Sequence, residues 1–311
     1  MRVLILKMCL TMIEESQENS EVLRVRGFQP INKAVDQSIV IVKNAMHGKR
    51  DVYPTQWTRL NKNLLGGLQK GKMYVIAGRP GVGKSAFSNQ LIFDVLDKNQ
   101  SKNIIVLYWS FEMPGYQQIM RSGSKEVKKE ISELLSVEAR LNDEDFKSYA
   151  NRIDRFRKYP VYFNSIPRTM EYIKATVINI FDHSRLIKGS NEHTELQKLN
   201  EISKGCMWMQ AKMDVINILL SQLNRNIEQE HRAKAQYQPL LTDLFGGDSI
   251  GQDAHVVMIL NRPHDIYGIT AKYCDEDPVG LLACHVEKNR DGLLGMIPYE
   301  AEMSTFTIKE R

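Results

Sequence analysis

The sequence predicts an α/β protein: a mostly parallel central sheet flanked by helices, preceded by a short helical N-terminal segment. Three observations predict it. From Tyr53 onward short apolar runs alternate with longer helical stretches, the pattern of a doubly wound sheet. A glycine-rich turn, "IAGRPGVGKSAF", joins the first apolar run to a helical run. The leading 50 or so residues read separately, as helices joined by the polar stretch "ESQENSEVLRVRGFQP".

Residues 1–52 form the expected N-terminal helical and linker segment, and 53–311 the main domain. The opening "MRVLILKMCLTMI" is apolar enough for a signal peptide. However, Lys7 splits the run and no small-residue cleavage site follows. Leu6, Leu10 and Ile13 fall at helical spacing instead, so an amphipathic helix is expected. Val35, Ile39, Val42 and Met46 make a second apolar stripe, which needs a cover. That cover is either this chain's own core or a neighbouring subunit.

Strands are expected at Met73 to Ala77, Ile104 to Trp109, Val161 to Phe163, Val177 to Phe181, Val215 to Leu220, Val256 to Leu260 and Leu282 to Val286. The charged stretch from Ser124 to Pro160 reads as solvated helices on one flank. With 311 residues, 42% of them hydrophobic, the chain can bury a substantial core. A net charge of +5 permits a polyanion partner without requiring one. Cys9, Cys206, Cys274 and Cys284 form no C-x-x-C pair, which argues against a zinc site or a disulfide framework and for a reducing cytoplasm. No apolar stretch reaches the ~18 residues of a membrane span.

The turn fits the spacing G-x-x-x-x-G-K-[ST] with Gly78, Gly83, Lys84 and Ser85. Backbone N–H groups must wrap a triphosphate, and side chains at Gly78, Gly81 or Gly83 would block that approach. Lys84 would reach the β- and γ-phosphates and Ser85 would hold Mg²⁺. The nucleotide-binding loop is therefore expected at Gly78, Arg79, Pro80, Gly81, Val82, Gly83, Lys84, Ser85 and Ala86.

Ligands of open parallel sheets sit past the carboxyl ends of the strands. There the sequence places Glu112 in "SFEMP", Asp182 in "IFDHS" and Gln222 in "LLSQLNR". A single polar residue at a strand end can be a cap or an ion-pair partner; three around a phosphate loop are less readily explained so. Asp182 suits an outer-shell hold on the metal, Glu112 can orient and deprotonate a water, and Gln222 can sense a γ-phosphate. In "HVEKNRDG", Lys288 and Arg290 share one face of an extended segment. They could meet a carboxylate inside the fold or reach a phosphate site.

The ordered set "GLQKGKMYVIAGRPGVGKSAF", "WSFEMP", "IFDHSRLIKG", "LLSQLNRNIE", "DLFGGDSIGQDAHVVMILNR" and "EKNRDG" resembles the RecA-like motor domain of replicative DnaB-type hexameric DNA helicases, phage-encoded versions especially. The likeness runs from about Tyr53 to Phe306. It implies a P-loop NTPase core that hydrolyses ATP or another NTP with Mg²⁺. Lys84 and Ser85 would contact nucleotide and metal, Glu112 would be the catalytic base, Asp182 the second carboxylate at the metal and Gln222 the sensor. Lys288 and Arg290 would act in trans on nucleotide held by the adjacent subunit of a homo-oligomeric ring, a hexamer. The resemblance also implies that the 35–46 stripe is a linker helix packed on a neighbour, and that the ring translocates on single-stranded DNA and unwinds forked DNA.

The loop from Asp243 to Asp253 would line the ring channel and hold DNA by its backbone around Phe245, Gly246, Gly247 and Asp248. Phe245 stands where an arginine is common; it can stack on a base or pack inward. A primase-binding N-terminal domain is not evident in the leading residues, and a primase or helicase loader stays a candidate partner. The host cytoplasm is the expected location for a phage-encoded chain. Thirteen residues, Asn164 to Thr176, separate two expected strands. This is close to the ~10–12 minimum for a helical crossover, which makes the register of Asp182 a question for the structure. Two other readings are a recombinase-like ATPase of the same core, which coats DNA as filaments, and a helicase-like adaptor that binds without turnover.

Overall fold

A computed structural model describes residues 29–138, 141–165, 178–182, 194–245 and 247–311. The chain divides into two compact units, Met1–Asp51 and Val52–Arg311. In the first, α1 (Ile31–Met46) carries the expected stripe, and none of its residues is buried. The helix expected through Leu6, Leu10 and Ile13 lies outside the described residues.

The second unit opens with β1 (Val52–Tyr53), α2 (Thr58–Asn63) and β2 (Leu68–Gln69), then β3 (Met73–Gly78) and the long α3 (Lys84–Lys98). Next come β4 (Val106–Ser110), α4 (Gly115–Val127), α5 (Ile131–Leu135), α6 (Asp143–Asp154), β5 (Val161–Asn164) and β6 (Ile178–Asp182). They are followed by α7 (Glu195–Met213), β7 (Ile216–Gln222), α8 (Gly247–Asp253), β8 (Val256–Asn261), α9 (Pro263–Tyr267), β9 (Leu281–Asn289), β10 (Gly295–Glu302) and β11 (Thr307–Glu310).

Among the described residues nine strands form one sheet, ordered β11-β10-β9-β8-β3-β7-β6-β4-β5. From β5 through β8 neighbours run parallel, whereas β8–β9, β9–β10 and β10–β11 are antiparallel. All six residues of β3 are buried, as a strand covered on both faces requires. Tyr74 and Ile76 join Phe87 and Leu91 of α3 on one face. Met73, Val75 and Ala77 join Leu199, Ile202, Cys206 and Met209 of α7 on the other. The period of two along the strand thus feeds two helical layers.

Observed strands match the expected ones with shifted ends. β4 starts at Val106 rather than Ile104 because its partner, Val161, is where β5 begins. α6, in the charged stretch, buries no residue. The terminal strands β10 and β11 were not expected from sequence. Gly295 and Pro298 weaken the local strand signal. Pairing with β9 nevertheless fixes them, with Pro298 opposite Ala283 and beyond the last β10–β11 pair.

Candidate nucleotide site at the carboxyl edge of the sheet

β3 lies between β7 and β8, so Gly78 stands beside Gln222 on one side and Leu260 on the other. At Gly78 a Cβ would fall 2.6 Å from Val82 Cγ1 and 2.9 Å from the Leu260 carbonyl oxygen. Gly83 caps α3 with φ of 102°, a left-handed conformation that favours glycine. A Cβ there would meet Met303 Cε at 2.6 Å. The loop is thus tied at both ends to positions that exclude a side chain.

Lys84 opens α3 and turns its amine back onto the loop, donating to the carbonyls of Gly78 at 3.0 Å and Arg79 at 3.2 Å. Burial pulls this amine down to about 8, against the pull of Asp182 and Glu112, which favour its charged form. Asp182 ends β6 opposite Ser110, the last residue of β4. It is 2% exposed. Burial raises its pKa, a hydrogen bond from the Ser85 hydroxyl opposes that rise, and the nearby Glu112 adds to it. Gln118 Nε2 of α4 lies 3.4 Å from Asp182 and Tyr108 Oη 3.5 Å. The register of Asp182 is therefore set by β4 and α4, with the 166–177 stretch outside the described residues.

Glu112 is exposed, two residues past β4, on a turn held by Phe111 N–H donating to the Asp182 carbonyl at 2.9 Å. Lys84, Ser85, Glu112, Asp182 and Gln222 all line one cleft of about 400 Å³. That is the size of a small-ligand site. Sequence reasoning missed four further lining residues: Met113 beside Glu112, Arg121 of α4, and Met303 and Phe306 from the β10–β11 turn. The Arg121 guanidinium lies 5.0 Å from the Phe306 ring centroid. No local motif marks Met303 and Phe306, because pairing of the terminal hairpin with β9 carries that turn to the cleft.

Lys288 and Arg290 stand elsewhere. Lys288 is paired with Val257, and Arg290 N–H donates to the His255 carbonyl, both at the amino end of β8. Gly78, by contrast, meets Leu260 near its carboxyl end. At ~3.3 Å per residue Lys288 and Arg290 stand about 10 and 17 Å from that position along the strand. Neither cation lies in the cleft of its own chain. Lys288 Nζ donates to the carbonyls of Gly251 and Gln252, each at 2.7 Å, and Arg290 to that of Gln252 at 2.8 Å. These are the last carbonyls of α8, which lack partners within the helix and attract cations.

The segment expected to contact DNA contains a helix rather than an open loop. Asp243 is buried and takes a two-pronged ion pair from Arg232, with both distances 3.0 Å. Phe245 packs against the core on the α7 face, and its N–H donates to the Gln222 carbonyl at 2.9 Å. Gly246 lies outside the described residues; Gly247 and Asp248 open α8.

Residues 53–308 match the family described as the DnaB-like helicase C terminal domain. The replicative DNA helicase DnaB of Geobacillus stearothermophilus is 26% identical over 257 residues, covering 78% of this chain and 53% of that protein. The replicative DNA helicase DnaC of Bacillus subtilis (strain 168) is 25% identical over 302 residues, covering 92% of this chain and 63% of the relative. The chain therefore spans about half to two thirds of the length of these curated relatives. Among solved structures, one described as an ATPase domain superposes with a TM-score of 0.77 at 20% identity, covering 89% of this chain and 98% of the other. A DnaB-like replicative helicase, described with its interactions with primase, gives 0.74 at 20% identity over 95% and 74% of the two chains. At that identity both are likenesses of fold, and the fold is the RecA-like one of helicase ATPase domains. By a match that covers most of its length, the chain belongs to the DnaB-like helicase C-terminal domain family.

Proposed function

We propose that this chain is the motor of an ATP-dependent replicative DNA helicase, which hydrolyses NTP at subunit interfaces of a ring and translocates on single-stranded DNA. One observation carries the reading: a phosphate loop, a carboxylate at its metal side and a second, exposed carboxylate share a cleft, while the cations that would complete it lie on another part of the same subunit. Such a site is finished by a neighbour. The family match and the names of the relatives support the DNA part of the reading.

The residues present fit a nucleotide with Mg²⁺. Glycine lets the loop fold this tightly, since a Cβ at Gly78 would strike Val82 and the Leu260 carbonyl and Gly81 and Gly83 hold positive φ, and it leaves the loop's backbone N–H groups bare toward a phosphate. Ser85 and Asp182 offer hard oxygen donors, already hydrogen-bonded to each other. Ser85 and Asp182 would hold Mg²⁺, which when bound would supply positive charge against the charge that develops in phosphoryl transfer. Lys84 exchanges its two loop carbonyls for β- and γ-phosphate oxygens. Glu112 accepts a proton from the attacking water and aims it at the γ-phosphorus. Gln222, beside Gly78, reports the γ-phosphate to Phe245 through its own carbonyl. Arg290, with Lys288, leaves the end of α8 and reaches the adjacent subunit's γ-phosphate as an arginine finger.

Backbone amides at Gly246, Gly247 and Asp248 hold the DNA backbone, with Phe245 anchoring the segment from inside. α1 serves as the linker helix that packs on a neighbouring subunit, its stripe covered there. Forked DNA is the substrate and a primase or loader a further partner, in the cytoplasm of the cell or of the phage host. Among the described residues no helix is long and apolar enough to cross a membrane.

The test is NTP hydrolysis with and without single-stranded DNA, followed by unwinding of a forked duplex. DNA-stimulated hydrolysis with unwinding is expected. Stimulation without unwinding indicates the recombinase-like reading, and no hydrolysis indicates the adaptor.

A further inference from the structure

One side chain of the phosphate loop points away from the cleft. Arg79 forms an ion pair with Glu228, and its Nη1 lies 3.5 Å from the Leu223 carbonyl oxygen. The Arg79 side chain is only 16% exposed and Glu228 41%. Glu228 closes a short 3₁₀ turn, Arg225–Glu228, that follows β7.

The chain from Leu223 to Leu244 leaves β7 and comes back to the same place. Asn224 N–H donates to the Asp243 carbonyl at 2.7 Å and Phe245 N–H to the Gln222 carbonyl at 2.9 Å, with Leu223 bridged to Leu244. Inside this excursion Arg232 clamps Asp243. Tyr237 stacks on Tyr267 of α9 at 4.5 Å between ring centroids. The excursion is therefore closed at a neck, and Arg79 grips both the neck, at Leu223, and the first turn, at Glu228.

The same residue faces the nucleotide side through its backbone. The Arg79 carbonyl accepts from Lys84 Nζ at 3.2 Å. Any triphosphate that draws the Lys84 amine away releases that carbonyl, and the guanidinium moves with the backbone that carries it. Its planar, two-contact grip transmits a change of direction better than a single flexible point charge would.

We propose that Arg79 is a positioning residue, linking occupancy of the phosphate loop to the Leu223–Leu244 excursion and, through its neck, to Phe245 and the start of α8. This rests on the nucleotide and DNA sites assigned under the proposed function. Gln222 reports through its carbonyl; Arg79 and Glu228 form a second, side-chain route between the same two sites.

Glu228 is the residue to change, because it sits on the surface and outside the cleft. The readout is the ratio of hydrolysis rates with and without oligodeoxythymidylate, alongside the DNA-free kcat and KM. Wild-type hydrolysis should rise with DNA. Glu228→Gln should lower the stimulation ratio severalfold at unchanged DNA-free kcat and KM, and Glu228→Lys, which repels Arg79, should lower it further. Normal DNA-free hydrolysis also shows that each variant folds. Full stimulation retained in Glu228→Lys overturns the proposal, as does an equal fall of both rates, which is the mark of a merely structural contact. A wild-type chain that hydrolyses NTP but ignores DNA overturns the assigned function itself, before any substitution is made.

Discussion

Raising the pH should discharge the phosphate loop long before it would discharge an exposed lysine. Burial brings the Lys84 amine from 10.5 to about 8. This corresponds to about 3 kcal/mol against the charged form. A triphosphate selects the ammonium. At pH 9 only about one amine in ten keeps its proton, so nucleotide affinity should fall nearly tenfold between pH 7.5 and 9. Fluorescent-nucleotide titrations across that range measure it. Lys84→Met should bind weakly at every pH, without the slope.

The same burial affects stability. The folded value lies below the unfolded one, so the charged amine opposes folding fully below pH 8, and the opposition fades as pH rises toward 10.5. Lys84→Met relieves about 3 kcal/mol at pH 7 and loses two hydrogen bonds of about 1 kcal/mol each, leaving a net gain of about 1 kcal/mol in denaturant unfolding. An affinity that stays flat to pH 10 in the wild type, or a slope that persists in Lys84→Met, refutes this reasoning.

Other substitutions probe the rest of the site. Glu112→Gln should keep nucleotide binding while turnover collapses, since shape survives and basicity does not; ordinary hydrolysis would move the base elsewhere, with Asp182 next in line. Gly78→Ala should cost about 1–3 kcal/mol in thermal or denaturant unfolding and weaken nucleotide binding, because the added Cβ meets the backbone oxygen of Leu260, which cannot turn away. Unchanged stability there would mean that the loop relaxes freely. Replacing Gly246 and Gly247 together by leucine should reduce DNA affinity and leave DNA-independent hydrolysis nearly intact; unchanged affinity in a folded variant removes this segment from the DNA site. Wild-type DNA affinity should fall steeply with salt.

How far the sequence could be read depended on how local each signal was. The phosphate loop follows from glycine spacing within one turn, and β3, β7 and β8 from continuous apolar runs. Convergence of Glu112, Asp182 and Gln222 was legible because parallel strands all carry their carboxyl ends to one edge. β10 and β11 were not legible: Pro298 interrupts the run, and tertiary pairing with β9 and packing of Tyr299 against Trp57 and Phe87, at 5.0 and 5.5 Å, hold the hairpin in place. With the hairpin unseen, Met303 and Phe306 could not be placed in the cleft. The spacing of Lys288 and Arg290 showed that they share a face, but not that the carbonyls at the end of α8 would be their partners. The stripe on α1 shows only that a cover is needed; periodicity carries no information about which surface supplies it.

On the proposed function, each hydrolytic site is completed across a subunit boundary. Mixing two inactive variants tests it most directly. Arg290→Ala subunits still offer Glu112, and Glu112→Gln subunits still offer Arg290, so co-assembled rings contain some interfaces with both groups. Each variant alone should lose most turnover, as an arginine finger contributes ~10³–10⁵ in rate. Hydrolysis should return when the two are mixed, rising and then falling with the proportion of either variant. If the subunits demonstrably co-assemble and no hydrolysis returns at any ratio, Arg290 is a structural cap of α8 within its own subunit and the shared site is wrong.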